Sequence, residues 1–473
     1  MNYSFVKPVL FGARLATRWK NHTTQQNAVW IKKELVHMGP AYVKIGQLVA
    51  SRNDVFPQEV VDELSSLHDN VPPCSYEDIR QVVEYELTKN IDDIFIEFST
   101  TSLNSASIGQ VHSAVLREFP DKPIVVKVQR PNIEHEFARD FDSIIFFTKF
   151  ITQIAPNNKE LDDLYNVIVQ SRKMIEDELD FTKEYENLRM MRNAFKNDKN
   201  VVIPRTIKHL STKRILLMEF VESSKLVTSS NPNEITRQMV KSVVTGALRH
   251  GLIHGDLHPG NVGFISSDSE PGKIVLYDCG LVLQVDKTVV RNLFTSVLTN
   301  DVQLLFDTLV QYKLVYIDND KTGVYQLKRM IIHVFKYVNT LNVKQFASDI
   351  ALDPALNNGR LDFHIAPDLF LVSRTITLLE GTCKTVDESF MYTDIILDMI
   401  SDLSVVSEYL DVDVLWTKSL IDIGRLTRNE TDTGNDDTGI MEYMLLKKER
   451  DLNGNKQSYW IFFITSIIIA LNI

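Results

Sequence analysis

One stretch of the sequence decides the fold: His254-Gly255-Asp256-Leu257-His258-Pro259-Gly260-Asn261. It places Asp256 and Asn261 five positions apart on one polar segment. Seventeen residues after Asn261, following a polar loop and the apolar run 274–277, the chain reads Asp278-Cys279-Gly280. Phosphoryl transfer depends mainly on positioning and on charge neutralisation, and three oxygen-bearing side chains at fixed points supply both. The ordered triple therefore predicts a site for phosphoryl chemistry.

A kinase-like fold gives each member of this triple a role. The first Asp orients the nucleophile, while the Asn and the second Asp bind Mg²⁺ beside the phosphates of ATP. Lys127 is consistent with that fold, because it interrupts the apolar run 124–128 and a buried ammonium needs anionic partners. There it would pair with the phosphates and with a Glu on the following helix. The alternative is a strand-edge lysine kept for solubility.

The candidate acidic partners lie between Lys127 and the catalytic segment, at Glu178, Asp180 and Glu184. Asp180 and Glu184 are four positions apart and can share a helix face, whereas Glu178 and Asp180 cannot. An acidic run on a helix is usually a solvated face, so the functional interpretation rests on the location of the run.

Two further segments lack an ordinary kinase pattern. Before Lys127, where protein kinases carry GxGxxG, this chain has Asn104-Ser105-Ala106-Ser107-Ile108-Gly109-Gln110-Val111, whose side chains restrict positive φ and limit close approach to phosphates. Taken alone it could be any polar turn. Upstream, Lys44 and Gln47 share a helix face, and Gly46 between them permits close packing. Periodicity alone would make this pair a surface feature.

Together these segments resemble the UbiB/ADCK family of atypical kinases over roughly residues 30 to 400. The sequence 44–47 matches the KxGQ motif of that family, and 105–112 resembles the alanine-rich replacement of its glycine loop. Glu178-Leu179-Asp180 matches its ExD motif, and the two segments that contain Asp256 and Asp278 match its catalytic and metal loops. The KxGQ motif combined with this loop is highly specific.

The resemblance implies an α+β, bilobal, protein-kinase-like fold that uses ATP and Mg²⁺. It implies a KxGQ helix over the active site, with its Lys directed at the ExD acids, which would occlude a protein substrate and favour ATPase or lipid-linked chemistry. A membrane lipid or a quinone precursor and a homodimer partner are the expected associations. The implied catalytic residues are Asp256, Lys127 and Glu184; the nucleotide-binding residues are Ser105, Ala106, Ser107, Gly109, Gln110, Lys127, Glu219 and Val221; the regulatory residues are Lys44, Gln47, Glu178 and Asp180; and the metal ligands are Asn261 and Asp278.

Some positions depart from kinase patterns. Val125 stands where an Ala often packs on adenine, Cys279 replaces the Phe of DFG, and Gly255 replaces the Arg of HRD. No Ala-Pro-Glu motif follows Asp278 at a useful distance. Without the Arg, capture of an activation-loop phosphate is not expected, which disfavours an ordinary protein kinase.

The chain is long enough for several domains. The pattern of apolar residues and turns predicts five segments. In order, they are a helical extension at 1–97, a strand-rich N-lobe at 98–221, a helical C-lobe at 222–426, a flexible linker at 427–457 and a hydrophobic tail at 458–473. Strands are expected at 111–116, 124–128, 201–203 and 215–220, and long helical stretches at 133–155 and 161–195. The apolar stretch Ile144–Ile154 is interrupted by Lys149 and is predicted to be a buried helix.

The composition excludes some classes of protein. Net charge is −11 and the pI about 5.5, so nucleic acid is not an expected partner. Three scattered cysteines argue against a disulfide framework and indicate an intracellular, reducing compartment.

Both termini have features of membrane association. Residues 1–33 hold no acidic residue, and Phe11, Leu15 and Trp19 recur at four-residue steps. This pattern indicates a basic amphipathic helix for an anionic membrane or a mitochondrial-type address; the alternative is a helix packed on its own domain. The apolar tail is shorter than the roughly 20 residues of a spanning helix, so an anchor, an interfacial segment and a core helix stay open.

Three functions other than an atypical kinase or ATPase remain as alternatives. A small-molecule phosphotransferase also carries HGDxHxxN but does not explain the KxGQ motif. A pseudokinase scaffold would not need Lys127, Asp256, Asn261 and Asp278 together. A protein serine/threonine kinase is the third.

Overall fold

The structure is a computed structural model and describes residues 3–50, 56–65, 67, 72–155, 159–226, 232–266, 272–299, 301–319, 321–340, 349–350, 352–356, 361–390 and 395. The predicted linker 427–457 and tail 458–473 lie outside the described residues. The chain divides into two compact units. Unit 1 contains Met1–Asn193, Ile203–Glu222 and Asp278–Leu281, and unit 2 contains Ala194–Val202, Ser223–Tyr277 and Val282–Ile473. The predicted extension and almost all of the predicted strand-rich lobe lie in unit 1, and the predicted boundaries stay predictions.

The helices are α1 (Tyr3–Trp19), α2 (Thr24–Met38), α3 (Pro40–Val49), α4 (Gln58–Ser65), α5 (Tyr76–Leu87), α6 (Ile91–Ile94), α7 (Ile133–Ile154), α8 (Lys159–Glu178), α9 (Phe181–Ala194), α10 (Pro232–Thr245), α11 (Lys287–Thr299), α12 (Val302–Gln311), α13 (Thr322–Thr340) and α14 (Pro367–Val386). The strands are β1 (Phe95–Phe98), β2 (Asn104–Ser105), β3 (Gly109–Leu116), β4 (Pro123–Gln129), β5 (Val201–Val202), β6 (Ile215–Glu219), β7 (Ser224–Lys225), β8 (Leu252–His254), β9 (Val262–Ile265), β10 (Lys273–Leu276), β11 (Val282–Gln284), β12 (Val315–Ile317) and β13 (Phe363–Ile365). No described helix is long and apolar enough to cross a membrane.

Unit 1 is built on an antiparallel sheet of order β1-β3-β4-β6, with β2 paired to β3. Side chains alternate along β4, so Val126 and Val128 are fully buried on one face while Lys127 points to the other. The buried face packs with Ile79 and Val83 of α5 in one apolar cluster. The sheet therefore holds Lys127 on a rigid central strand, opposite the face that forms this core.

The helical extension of unit 1 follows local capping rules. Thr23 and Gln26 form a reciprocal capping box at the start of α2. Gly39, at φ 118°, separates α2 from α3, a backbone angle that glycine adopts most readily. A Cβ on Gly46 would lie 2.6 Å from Leu67 and 2.8 Å from Leu35, so α3 packs closely on its neighbours as predicted.

Two expectations about helices need correction, and a third bears on a choice that the sequence leaves open. The stretch predicted over 161–195 is two helices, because the chain turns at Leu179 and Asp180. The helix at Ile144–Ile154 is not simply buried, since Phe150 is 51% exposed and Ile154 is 65% exposed. For α1, the contact of Phe11, whose ring stacks on Trp30 at 5.5 Å, favours the alternative of a helix packed on its own domain, although Trp19 on the same predicted face is 45% exposed.

Unit 2 contains a four-stranded sheet of order β5-β10-β9-β7 and two two-stranded sheets, β8 with β11 and β12 with β13. Its apolar core includes fully buried residues of α12 and α13, among them Leu305, Leu327 and Val334. The segment that joins β8 to β9 carries Asp256 and Asn261, so two paired strands fix both ends of the loop.

Candidate active site

The centre of unit 1 is an ion cluster around Lys127. Its Nζ donates to both carboxylate oxygens of Glu184, at 2.9 and 2.7 Å, and to Oδ2 of Asp278 at 2.7 Å. The ammonium also lies 5.1 Å from the ring centre of Phe181, at the start of α9. One lysine thus joins strand β4, helix α9 and the Asp278 segment.

Burial makes this cluster electrostatically unusual. The side chains of Lys127 and Glu184 are only 12% and 5% exposed. Burial works to lower the pKa of Lys127, but the Asp278 and Glu184 carboxylates outweigh it and raise that pKa. Burial and the negative charge of Asp278 raise the pKa of Glu184 to about 7, with Lys127 opposing the shift. Two carboxylates share one ammonium, so the cluster favours the approach of another cation.

Helix α9 also fixes the segment that carries Asp278. Asn187 follows Glu184 by three residues on one helix face, and its Nδ2 donates to the carbonyl of Cys279 at 2.9 Å. Within the segment, the Gly280 amide donates to Oδ1 of Asp278 at 2.7 Å. Both bonds set the direction of the Asp278 carboxylate.

The KxGQ helix α3 contributes a second ion pair. Nζ of Lys44 contacts Oε2 of Glu178, the last residue of α8, in a pair whose side chains are 18% and 24% exposed. The negative charge of Glu178 is one of the causes that raise the pKa of Glu184, after burial and Asp278, so the two pairs are coupled electrostatically. Gln47 lies elsewhere, since its amide donates to the carbonyl of Leu67 at 2.9 Å.

Asp180 has a structural role that its sequence motif does not indicate. Its Oδ1 accepts from the amide of Thr182 at 3.0 Å and from the Thr182 hydroxyl at 2.6 Å. These bonds cap the first turn of α9, where the backbone N–H groups have no carbonyl partner within the helix. Gln129 of β4 supports the same turn by donating to the carbonyls of Leu179 and Lys213.

The predicted nucleotide loop is held by Arg130, which follows β4. The guanidinium donates to the carbonyl of Ala106 at 2.9 Å and to Oγ of Ser105 at 2.9 Å. It also donates to the carbonyl of Pro72 at 2.7 Å and to Sγ of Cys74 at 3.4 Å. One side chain therefore ties the loop to the segment that precedes α5.

A buried chain of polar groups runs beneath this loop. Gln110, 2% exposed, accepts at Oε1 from the Cys74 amide at 2.7 Å and lies 2.8 Å from Nε2 of His112. Nδ1 of His112 lies 2.8 Å from the carbonyl of Ser99, so Nδ1 carries the donor hydrogen and Nε2 accepts. Gln110 is thereby committed to contacts inside the protein, and its assignment to the nucleotide stays a prediction.

In unit 2, the loop 254–261 organises its own side chains. Nδ2 of Asn261 donates to the carbonyl of Asp256 at 3.0 Å and lies 3.4 Å from its Oδ2. The ring of His258 accepts from the Gly260 amide at 3.0 Å, and its Nε2 lies 3.8 Å from Oδ2 of Asp256. The ring of His254 accepts from the Asp256 amide at 3.2 Å. Hydrogen bonds within the loop thus hold Asp256 and Asn261 together.

Helix α14 supports the loop from the core side. The hydroxyl of Thr382 donates to the carbonyl of Leu257 at 2.7 Å, and that of Thr375 donates to the carbonyl of Gly255 at 3.4 Å. Leu257 is 1% exposed and anchors the loop in the core. These two threonines were missed in the sequence because nothing local links them to a loop more than one hundred residues earlier.

The structure therefore gathers the predicted residues into two sets. Lys127, Glu184 and Asp278 meet in unit 1, and Asp256 and Asn261 meet in unit 2. Glu219 ends β6, and its carboxylate accepts from the Arg205 amide at 3.3 Å; Val221 follows it and is half-buried. The roles assigned to all of these residues stay predictions.

Comparison with known proteins agrees with the kinase-like class. A family model described as the ABC1 atypical kinase-like domain matches residues 66–307, which are 242 of the 473 residues. The chain belongs to this family of atypical kinase-like proteins, which confirms the resemblance to UbiB/ADCK kinases and the α+β kinase-like fold. The matched region includes Lys127, Glu184 and Asp278, whereas Lys44 lies before it.

Individual relatives are distant. The chloroplastic protein Activity of bc1 complex kinase 8 of Arabidopsis thaliana is 29% identical over 320 residues, 65% of this chain and 41% of the relative. A Shewanella woodyi protein named Probable protein kinase UbiB is 27% identical over 391 residues, 80% of this chain and 70% of the relative. The solved complex of Mycobacterium tuberculosis Rv3197 with erythromycin has a TM-score of 0.48 at 19% identity, over 72% of this chain and 87% of that one. The chain spans 41%, 63% and 54% of the length of three curated relatives it matches.

Proposed function

We propose that this protein is an atypical kinase or ATPase that transfers or hydrolyses the γ-phosphate of Mg-ATP, with a lipid- or quinone-linked acceptor. The observation that carries the proposal is the buried Lys127, held between Glu184 and Asp278. Burying the ammonium of a lysine on a central strand costs free energy unless the charge interacts with anions. In kinase-like folds the anions that such a lysine binds are the phosphates of the nucleotide.

The residues have complementary parts in this proposal. Lys127 binds the nucleotide phosphates, and Glu184 keeps its ammonium in place. Asp256 accepts the proton of the attacking hydroxyl or orients an attacking water. The loop that Arg130 holds, at 105–109, covers the phosphates.

Asp278 and Asn261 suit a magnesium ion chemically. Both offer hard oxygen donors, and Mg²⁺ in such sites is normally bound by one or two carboxylates together with substrate phosphates. When bound, the ion neutralises charge on the phosphate oxygens.

The KxGQ helix bears on the choice of acceptor. The pair between Lys44 and Glu178 ties α3 to the end of α8, two residues before the turn that begins α9. In the family that the chain resembles, the KxGQ helix is expected to lie over the active site, and this ion pair is consistent with that position, which supports a small or lipid-linked acceptor over a protein serine/threonine kinase.

The test is binding and turnover by the purified chain. Mg-ATP should raise the unfolding midpoint of the wild type, and Asp278→Ala should remove that rise, while Asp121→Ala in the exposed turn before β4 should keep it. ATP hydrolysis would then be measured with and without anionic liposomes and phenolic quinone precursors. An unchanged midpoint in the wild type would overturn nucleotide binding. If neither liposomes nor quinone precursors change the rate of ATP hydrolysis, only the proposal of a lipid- or quinone-linked acceptor is refuted.

A further inference from the structure

A cavity of unit 1 is lined by arginines. It has a volume of about 370 Å³ and lies between helix α9 and the segment 203–206, which follows β5. We call it the arginine cavity, and its polar lining residues are Tyr185, Arg189, Arg192, Asn193, Arg205 and Thr206. None of the residues that line it belongs to the ion cluster around Lys127, so the cavity is a different feature from the candidate active site.

Helix α9 supplies two of the three arginines. Residues three or four positions apart share a helix face, and Tyr185, Arg189 and Arg192 follow those steps. Glu184, which pairs with Lys127, lies on another face of the same helix. The helix that holds the acidic partner of Lys127 therefore also presents two guanidinium groups to the arginine cavity.

Two of the arginines have donors that the protein does not use. Arg205 bonds through its backbone alone, since its amide and carbonyl pair with Glu219. Within the part of the chain that the structure describes, its guanidinium has neither a hydrogen bond nor an ion pair. Arg192 is half-buried, and Nη1 donates to the carbonyl of Ile203 at 2.9 Å. An arginine carries five N–H donors, so both guanidinium groups can donate to a further acceptor.

The charge of the lining is positive, in a chain whose net charge is −11. The lining includes three arginines and no acidic residue. Arg189 is paired with Glu186 outside the cavity, but the two side chains are 58% and 48% exposed, so water weakens that pair. A concave site with this charge attracts anions.

We propose that the arginine cavity binds a small molecule that carries a phosphomonoester group. The planar guanidinium matches the oxygen atoms of a phosphate in bidentate pairs. A phosphomonoester carries about −1.5 to −2 charges at neutral pH, so it can accept from more than one arginine, whereas a carboxylate carries a single charge. The volume falls within the range of about 300 to 1,000 Å³ that small-molecule sites occupy, which leaves room for an organic part beside the phosphate.

A ligand in this cavity would connect two parts of unit 1. Arg189 and Arg192 belong to α9, and Arg205 belongs to the segment 203–206. Binding to both should reduce the local opening of the last turns of α9 and slow the exchange of their amides with deuterium. The proposal is independent of the proposed function, because it concerns residues outside the ion cluster.

The experiment is isothermal titration calorimetry of the full chain with ribose 5-phosphate, ribose and ribonate. Ribose 5-phosphate should bind, ribose should not, and ribonate should bind at least about tenfold more weakly, because its carboxylate has less charge to share. Arg205→Gln should weaken binding of ribose 5-phosphate at least about tenfold, since it removes a charge-assisted hydrogen bond. The matched control is Arg117→Gln, an exposed arginine of the same unit, which should bind as the wild type does.

Deuterium exchange locates the ligand. Saturating ribose 5-phosphate should slow exchange in a peptide that covers 188–194 of the wild type and have no such effect in Arg205→Gln. A parallel titration with dioctanoyl phosphatidic acid tests whether the phosphomonoester belongs to a lipid. If only this compound binds, and Arg205→Gln weakens its binding, the ligand of the cavity is a lipid head group with the same chemistry.

Circular dichroism shows whether each variant is folded, and Arg189→Gln provides a second change should Arg205→Gln fail to fold. The proposal is wrong if neither phosphomonoester binds the wild type. It is also wrong if folded arginine variants bind as tightly as the wild type, which would place the ligand elsewhere. Ribonate that binds as tightly as ribose 5-phosphate would overturn the assignment of a phosphate.

Discussion

Replacing Arg130 should loosen the predicted nucleotide loop without unfolding the protein. Its guanidinium donates to the carbonyls of Ala106 and Pro72 and to the hydroxyl of Ser105. A hydrogen bond of this kind contributes about 1 kcal/mol, and water can replace part of each because the site is half-exposed. Three such bonds give about 2 to 3 kcal/mol for Arg130→Ala.

Most of that loss should be local. The Ala106 amide donates to the carbonyl of Gly109 at 2.8 Å and closes the turn of the loop, so its exchange with deuterium reports whether the turn is formed. A loss of about 2 kcal/mol corresponds to exchange roughly thirtyfold faster in a peptide that covers 104–110. Arg130→Lys should be intermediate, because an ammonium keeps the charge but cannot form the same fork of bonds.

The control is Arg117→Ala, which removes a guanidinium that donates only to the carbonyl of Asp92 at 2.8 Å in the same unit. It should leave exchange in 104–110 unchanged. If Arg130→Ala also leaves that exchange unchanged, Arg130 does not hold the loop. If Arg130→Ala raises the KM for ATP with little change in kcat, this result would connect the loop with nucleotide binding.

Three other changes test the cluster and its surroundings. Lys127→Met should destabilise the protein by about 3 kcal/mol in urea unfolding, because it leaves Glu184 buried without its partner. Lys44→Ala should change ATP turnover by up to about fivefold, the effect of losing one half-buried ion pair of about 1 kcal/mol with Glu178. Burial lowers the pKa of His112 below its ordinary 6.5, although the bond to a carbonyl opposes this, so its contribution to stability is present above pH 6.5 and is lost as the pH falls through the lowered pKa.

Each has a matched control. The double variant Lys127→Met with Glu184→Gln should lose less stability than Lys127→Met alone, because no unpaired charge stays buried, and a loss equal to the sum of the single changes would contradict this account. Lys44→Arg should keep the turnover of the wild type, since it preserves the charge; turnover in Lys44→Ala identical to that of the wild type would show that the Lys44–Glu178 pair does not affect the reaction. His112→Gln should remove the acid-dependent step in the unfolding midpoint, and an unchanged step would place its origin elsewhere.

Much of the fold could be predicted from sequence because its signals are local. The apolar run around Lys127 predicts a strand at 124–128, and the structure has β4 at Pro123–Gln129. The spacing of Asp256 and Asn261 predicts one shared loop, and the structure closes that loop with a bond between the two residues. In both cases the pattern that predicts the element lies within a few residues of sequence, although β6 and α14 also contact these elements.

The errors and omissions arise where distant contacts decide. The turn at Leu179 and Asp180 interrupts a continuous helical pattern, because Gln129 from another strand donates to the Leu179 carbonyl. In the sequence, Arg130 is a polar residue that follows a strand, and nothing near it indicates its partners. Two of these, the carbonyls of Ala106 and Pro72, lie 24 and 58 positions away. Phe150 is 51% exposed, although the apolar stretch in which it lies predicts a buried helix.

The ion cluster explains why the predicted site needs its second ion pair. Glu184 and Asp278 bring two negative charges to one ammonium, and Glu178 adds a third charge that is felt at Glu184. Lys44 compensates the charge of Glu178, so the cluster carries one negative charge fewer than it would without Lys44. A divalent cation at Asp278 would remove the competing partner of Lys127 and leave its ammonium to the phosphates, while Glu184 continues to hold it. On this hypothesis the KxGQ lysine acts on the cluster through charge, because it offsets the carboxylate of Glu178, whose charge is felt at Glu184.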